Sequence, residues 1–165
     1  MSDACYGTCN TCGVALDSRY HSLSRNVERH QYNPPDADPT SCTNHILRSD
    51  RLEQYCGAEC AWVGAYSELN DRGISLIDLG KGKVSPCSKC GKPIDLTQPH
   101  VAYELMDQTE IRQPWLLSVN PHDSKTVARL CSTCDGDLAA ADDAAVGEDL
   151  SVVDVLEFGL TQASC

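Results

Sequence analysis

The chain has 165 residues, eleven of them Cys, and a net charge of −11. That length holds one ordinary domain or two small ones, and a single Phe with two Trp excludes a large aromatic core. No apolar run approaches the roughly 18 residues of a membrane-spanning helix, so no membrane partner is expected.

The charge is uneven. Residues 135–165 carry eight acids and neither Lys nor Arg, which leaves sixteen acids against thirteen bases in residues 1–134. The body is therefore close to balance and the low pI weighs little against a nucleic-acid partner. The opening stretch "MSDACYGTCNTCG" is polar and lacks the apolar core of a signal peptide. The expectation is a cytoplasmic, reducing location, where paired cysteines hold metal more often than they form disulfides.

In chain order, the first motif is "CNTCGVALD" at 9–17. Cys5, Cys9 and Cys12 crowd this loop, and the Cys-x-x-Cys-Gly phrase favours Cys9 and Cys12 over Cys5. The segment 19–51 carries Arg19, Arg25, Arg29, Arg48 and Arg51. "YNPPDADPTS" (32–41) reads as an exposed loop, rich in Pro and Asp. Cys42 and His45 follow as a Cys-x-x-His pair, with His21 and His30 upstream. They are read either as a third metal site, open to water, or as a small buried Cys with a surface His.

"YCGAEC" places Cys56 and Cys60 at a helix start. Trp62, Val63, Tyr66 and Leu69 recur at the spacing of one helix face, and Gly73 is the expected terminator. "GISLIDLGKG" (73–82) reads as a strand and a turn. "KGKVSPCSKCGK" (81–92) brings Lys81, Lys83, Lys89 and Lys92 around a second Cys-x-x-Cys-Gly phrase. These lysines suit either phosphates or the surplus negative charge of four thiolates on one divalent ion.

In the second half "HVAYELM", "PWLLSV" and "KTVARL" read as strands, with "NPHDS" as a break between the last two. "LCSTCDGDL" supplies Cys131 and Cys134 and opens a second helix, expected to end at Gly147. In the tail "EDLSVVDVLEFGLTQASC", Ser151 and Asp154 have capping-box spacing ahead of a short helix lined by Val152, Val153, Leu156 and Leu160.

The repeated phrase and the two later pairs make two sets of four ligands: Cys9, Cys12, Cys56 and Cys60, and Cys87, Cys90, Cys131 and Cys134. The spacer is 43 residues in the first set and 40 in the second. Zn²⁺ takes four thiolates tetrahedrally. A Gly after each Cys-x-x-Cys lets the backbone turn its amides toward sulfur. Two Zn²⁺ per chain are expected, each replacing a hydrophobic core that neither half can build alone.

Knuckle, hairpin, then a helix whose first turn gives the last ligands resembles a treble-clef zinc finger. "YCGAECAWVGAY" is similar to the helix start of the TRASH, MYM and FCS-type fingers. The likeness covers about 20 residues per half. It implies structural zinc and a protein- or nucleic-acid-binding role.

The expected fold is α+β: two tandem, related treble-clef-like zinc-binding units at 1–73 and 74–147, followed by an acidic tail at 148–165. The leading functional expectation is a non-catalytic adaptor or regulator that presents a protein-interaction surface. The alternative is a nucleic-acid-binding regulator using the basic residues above. The lesser reading is a metalloenzyme with an open Cys42/His45 zinc site; no HExxH, deaminase or Ser/His/Asp signature supports an enzyme.

Overall fold

In the computed structural model, residues 6–32, 42–136 and 138 are described. They contain six strands and one long helix: β1 (Arg19–Tyr32), β2 (Cys42–Tyr55), α1 (Ala58–Asp71), β3 (Val84–Pro86), β4 (Pro93–Asp95), β5 (His100–Gln113) and β6 (Leu116–Leu130). Of the expected loop at 32–41, Tyr32 ends β1 and 33–41 lie outside the described residues, as do Cys5, the body of the expected helix after Cys134 and the whole tail at 148–165.

Two long antiparallel hairpins, β1–β2 and β5–β6, share one four-stranded sheet in the order β2-β1-β5-β6. The seam is the β1–β5 pairing, in which Leu23 faces Leu105 and Val27 faces Val101 without a register shift. The two halves of the chain therefore meet through backbone hydrogen bonds. Each outer strand carries two bulges, at Leu47 and Leu52 in β2 and at His122 and Val127 in β6. Extra residues on the outer strands bend and twist the sheet while the central pair stays in register.

β1 was not legible as a strand because its sequence, RYHSLSRNVERHQY, lacks apolar alternation. It forms because it is central, with backbone partners on both sides, and because its buried polar groups find partners. Asn26 Nδ2 donates to Glu104 Oε2 at 2.9 Å, and Ser49 Oγ donates to Asn26 Oδ1 at 2.7 Å. On its other face Leu23 and Val27 join Val101, Tyr103 and Leu105 in the buried core. The expected break at "NPHDS" is absent: β6 runs through it, and the His122 bulge absorbs the irregular residues. The expected strand in 73–82 is also absent, since 74–80 has no regular structure and strand pairing starts at Val84.

α1 packs on β1, β2 and β5. It ends as expected at Gly73, which takes φ +70°. Gly73 N donates to Asn70 O and Ile74 N to Leu69 O, both at 2.9 Å, the paired bonds of a Schellman stop with buried Leu69 and Ile74 at its hydrophobic contact. Its buried face is Ala61, Ala65 and Leu69, not the face expected from Trp62, Val63 and Tyr66. The helix approaches closely enough that Gly64 lies against the buried Tyr55 ring, and small residues line this side while the bulky ones turn outward.

Candidate metal centres

The eight predicted cysteines fall into two clusters. In each, the four sulfurs lie within 4.8 Å of one another: Cys9, Cys12, Cys56 and Cys60 in one, Cys87, Cys90, Cys131 and Cys134 in the other. All eight are free thiols rather than disulfides. Cys12 Sγ and Cys56 Sγ are 3.6 Å apart, and Cys90 Sγ and Cys131 Sγ are 3.7 Å apart. A tetrahedron with Zn–S bonds of about 2.3 Å has edges of about 3.8 Å. The donor sets therefore fit two metal ions, and zinc suits them in softness and in geometry.

The same backbone frame builds both clusters. Cys9 N donates to Val14 O and Gly13 N to Cys9 O, each at 2.8 Å. In the second cluster Cys87 N donates to Lys92 O at 2.8 Å and Gly91 N to Cys87 O at 2.9 Å. Gly13 takes φ +76° and Gly91 φ +73°, the left-handed turn that closes each knuckle. Thr8 bridges Ala15 just outside the first knuckle, as Pro86 pairs with Pro93 outside the second.

The far pair of ligands is brought to each knuckle by the end of a hairpin. Asn10 N donates to Gln54 O, and Gln54 N donates back to Asn10 Oδ1 at 2.9 Å. At the second site Ser88 N donates to Arg129 O, and Arg129 N donates back to Ser88 Oγ at 3.1 Å. In both cases the residue after the first Cys grips the residue two before the third. Beyond the strands the sites diverge. Cys60 sits in the first turn of α1 with Gly57 as N-cap, whereas Cys131 to Cys134 form a turn in which Cys134 N donates to Cys131 O at 3.0 Å.

Electrostatics set the first knuckle sulfur of each cluster apart from its last ligand. Burial raises the thiols of Cys9 and Cys87, but backbone amides aimed at their sulfurs outweigh it and bring both down to about 6. These knuckle sulfurs are poised as thiolates. Cys60 is pushed up to about 12, first by its hydrogen bond with Cys56 and then by burial. Cys134 also rises to about 12, by burial first and then by Cys90 and Cys131. Four crowded thiolates cannot coexist without a cation, so metal binding at each cluster releases protons.

Cys42 and His45 are not brought together. They are three residues apart on β2, and an odd separation on a strand sends side chains to opposite faces. Cys42 pairs with Tyr32 across the sheet, and His45 Nε2 meets Gln31 Oε1 at 2.9 Å. His30 instead faces Glu28 and His100, a cluster that sequence reasoning missed. The signal was the Glu-x-His phrase at 28–30, which puts both side chains on one face only if the segment is a strand.

Comparison with protein-family models, with curated proteins and with solved structures finds no match to this chain. Among the described residues no helix is long and apolar enough to cross a membrane.

Proposed function

We propose that the chain is a non-catalytic zinc protein whose two treble-clef-like units form a rigid platform for a protein partner, an adaptor or regulator. The order knuckle, hairpin, helix start in the first half and knuckle, hairpin, turn in the second supports the treble-clef reading. Both Cys₄ sets are filled by protein ligands, and a closed tetrahedral site leaves no position for substrate. On this reading the zinc is structural, with one ion per cluster. Cys56→Ser and Cys131→Ser are each expected to lose one ion by native mass spectrometry.

The observation that carries the partner reading is the outer face of α1. Trp62 is 43 % exposed, Val63 59 % and Tyr66 59 %. The helix already meets the sheet through Ala61, Ala65 and Leu69. Three bulky apolar residues on the solvent side of a helix suit a groove on another protein, since Trp and Tyr anchor interfaces. Trp62 is partly covered by Lys125, whose Nζ lies 4.9 Å from the ring centroid, which gives the face a cationic rim.

Four of the five arginines considered for nucleic acid are paired with acids. Arg19 pairs with Asp107, Arg25 with Asp135 and Asp50, Arg48 with Asp50, and Arg51 with Glu110. The test is a pull-down with the full chain and a W62A/Y66A variant, each with and without nuclease. A partner that survives nuclease and is lost from a normally folded variant supports the proposal. Capture that disappears with nuclease or moderate salt overturns it in favour of nucleic acid, and a partner retained by the variant removes α1 as the surface.

A further inference from the structure

On the polar face of the sheet, where the β1–β5 pairing ends, Glu28 and His30 of β1 meet His100 at the start of β5. Glu28 and His30 share a face because they are two apart on a strand, and His100 is the direct cross-strand partner of Glu28. The side chains are 3 %, 11 % and 0 % exposed in that order. Their ligating atoms all lie within 4.8 Å of one another.

The hydrogen-bond chemistry of this cluster is incomplete. His100 Nδ1 lies 2.9 Å from the Gln98 carbonyl oxygen, which can only accept, so Nδ1 carries the proton. In the neutral ring Nε2 is then a lone pair. That Nε2 is buried without a hydrogen-bond partner, and it faces Glu28 Oε1 at 3.4 Å. His30 Nε2 faces the same oxygen at 3.2 Å. The other carboxylate oxygen is fixed by Asn44 Nδ2, which donates to Oε2 at 2.7 Å. Two ring nitrogens converge on one carboxylate oxygen: His30 Nε2 can donate to it, but the His100 lone pair faces it with no proton between the two acceptors to reconcile them.

A divalent cation does so. For N and O ligands at about 2.05 Å, the edge of a tetrahedron is about 3.3 Å, and the two measured separations bracket it. The surroundings have the form of an outer shell: a carbonyl fixes the His100 tautomer and an amide fixes the carboxylate. We propose that Glu28, His30 and His100 form a third metal site, for a divalent first-row transition ion such as Zn²⁺, built from two imidazoles and one carboxylate. This site differs from the Cys₄ clusters in donor set, which suits a borderline-hard ion. Three protein ligands also leave a coordination position unfilled by protein. A groove lined by Arg29, His30, Tyr32, Lys83 and Thr97 gives the His30 side an approach from solvent. Arg129 is half-buried nearby, with its Nη1 on Ser85 Oγ at 3.3 Å, and its charge acts against a cation. The third ion therefore binds more weakly than the two Cys₄ ions and is the first removed by chelator.

The test equilibrates the full chain with excess Zn²⁺, removes free metal and counts ions by mass spectrometry. The wild type is expected to hold one ion per chain more than His100→Gln and His30→Gln, whatever the occupancy of the cysteine clusters. Asn44→Ala is expected to keep the site but bind the extra ion about 10–100-fold more weakly. Zinc X-ray absorption on the wild type should show imidazole scattering beside sulfur. This reading needs no variant, so it decides the matter even if a His variant fails to fold. A pure sulfur shell, or equal metal counts in wild type and folded variants, overturns the proposal in favour of a buried imidazolium–carboxylate pair.

Discussion

Gly64 lies so close to Tyr55 that a β-carbon on it would stand 2.2 Å from the ring's Cε1 and 2.6 Å from Thr11 Oγ1. Tyr55 ends β2 and is fully buried, and Thr11 Oγ1 donates to Cys60 O at 2.9 Å inside the first knuckle. One absent methyl thus sets how closely α1 approaches both the sheet and the first metal cluster. Gly64→Ala in an exposed helix would gain about 1 kcal/mol. Here we expect it to lose about 1–3 kcal/mol by overpacking, read as a lower denaturation midpoint. A smaller residue at position 55 in the same chain should recover part of the loss. A stabilised G64A would show that the helix does not sit this close.

Gly13 and Gly91 test the knuckles in another way. No atom lies within 4 Å of a β-carbon built at either position, so Ala meets no steric clash. The cost is the positive φ alone, about 1–2 kcal/mol for an L-residue. G13A and G91A should therefore lower thermal stability by similar amounts and weaken zinc retention at their own cluster only. Unequal effects would mean that the two knuckles are not held by the same turn.

Arg25 of β1 ties the first half of the chain to the second cluster. Its Nη2 and Nε bind Asp135 Oδ1 and Oδ2 at 2.6 and 3.1 Å, next to Cys134, and both side chains are about nine-tenths buried. Removing one partner takes from the other its closest ion pair, with Arg25 keeping Asp50 at 3.5 Å, at a cost of up to about 3–5 kcal/mol. D135L and R25M should each destabilise strongly, and the pair R25M/D135L by less than the sum. Additive losses in that double-mutant cycle would reduce the bridge to a surface contact.

Glu110 provides the pH dependence. Burial raises its carboxyl, but Arg112 and Tyr20 bonded to it, and Arg51 at 3.6 Å, outweigh that and hold it below the usual range. A depressed folded value stabilises the fold above the unfolded value of about 4.3, and that contribution disappears as pH falls through the folded value. Glu110→Gln should cost about 1–3 kcal/mol at neutral pH. The gap from wild type should narrow steadily below pH ~4.3. A gap that stays constant down to pH 3 would place the effect in packing rather than charge.

The cysteine quartets were legible in the sequence because metal ligation is written in local spacing. Two sulfurs two residues apart, followed by a Gly, can make few turns, and both Gly13 and Gly91 take the expected left-handed conformation. The stop of α1 at Gly73 was legible for the same reason. Three things depended on partners that no local window contains. β1 is a strand because β2 and β5 flank it and satisfy its polar side chains, so its own sequence carries no strand signal. The buried face of α1 follows from its close approach to the sheet, seen where Gly64 meets Tyr55, and it takes Ala61 and Ala65 rather than the bulkier Trp62 and Tyr66. The meeting of His100 with Glu28 and His30 follows only from the β1–β5 register. Pairing across a sheet joins residues by geometry rather than by sequence distance, and only the tertiary structure fixes that geometry.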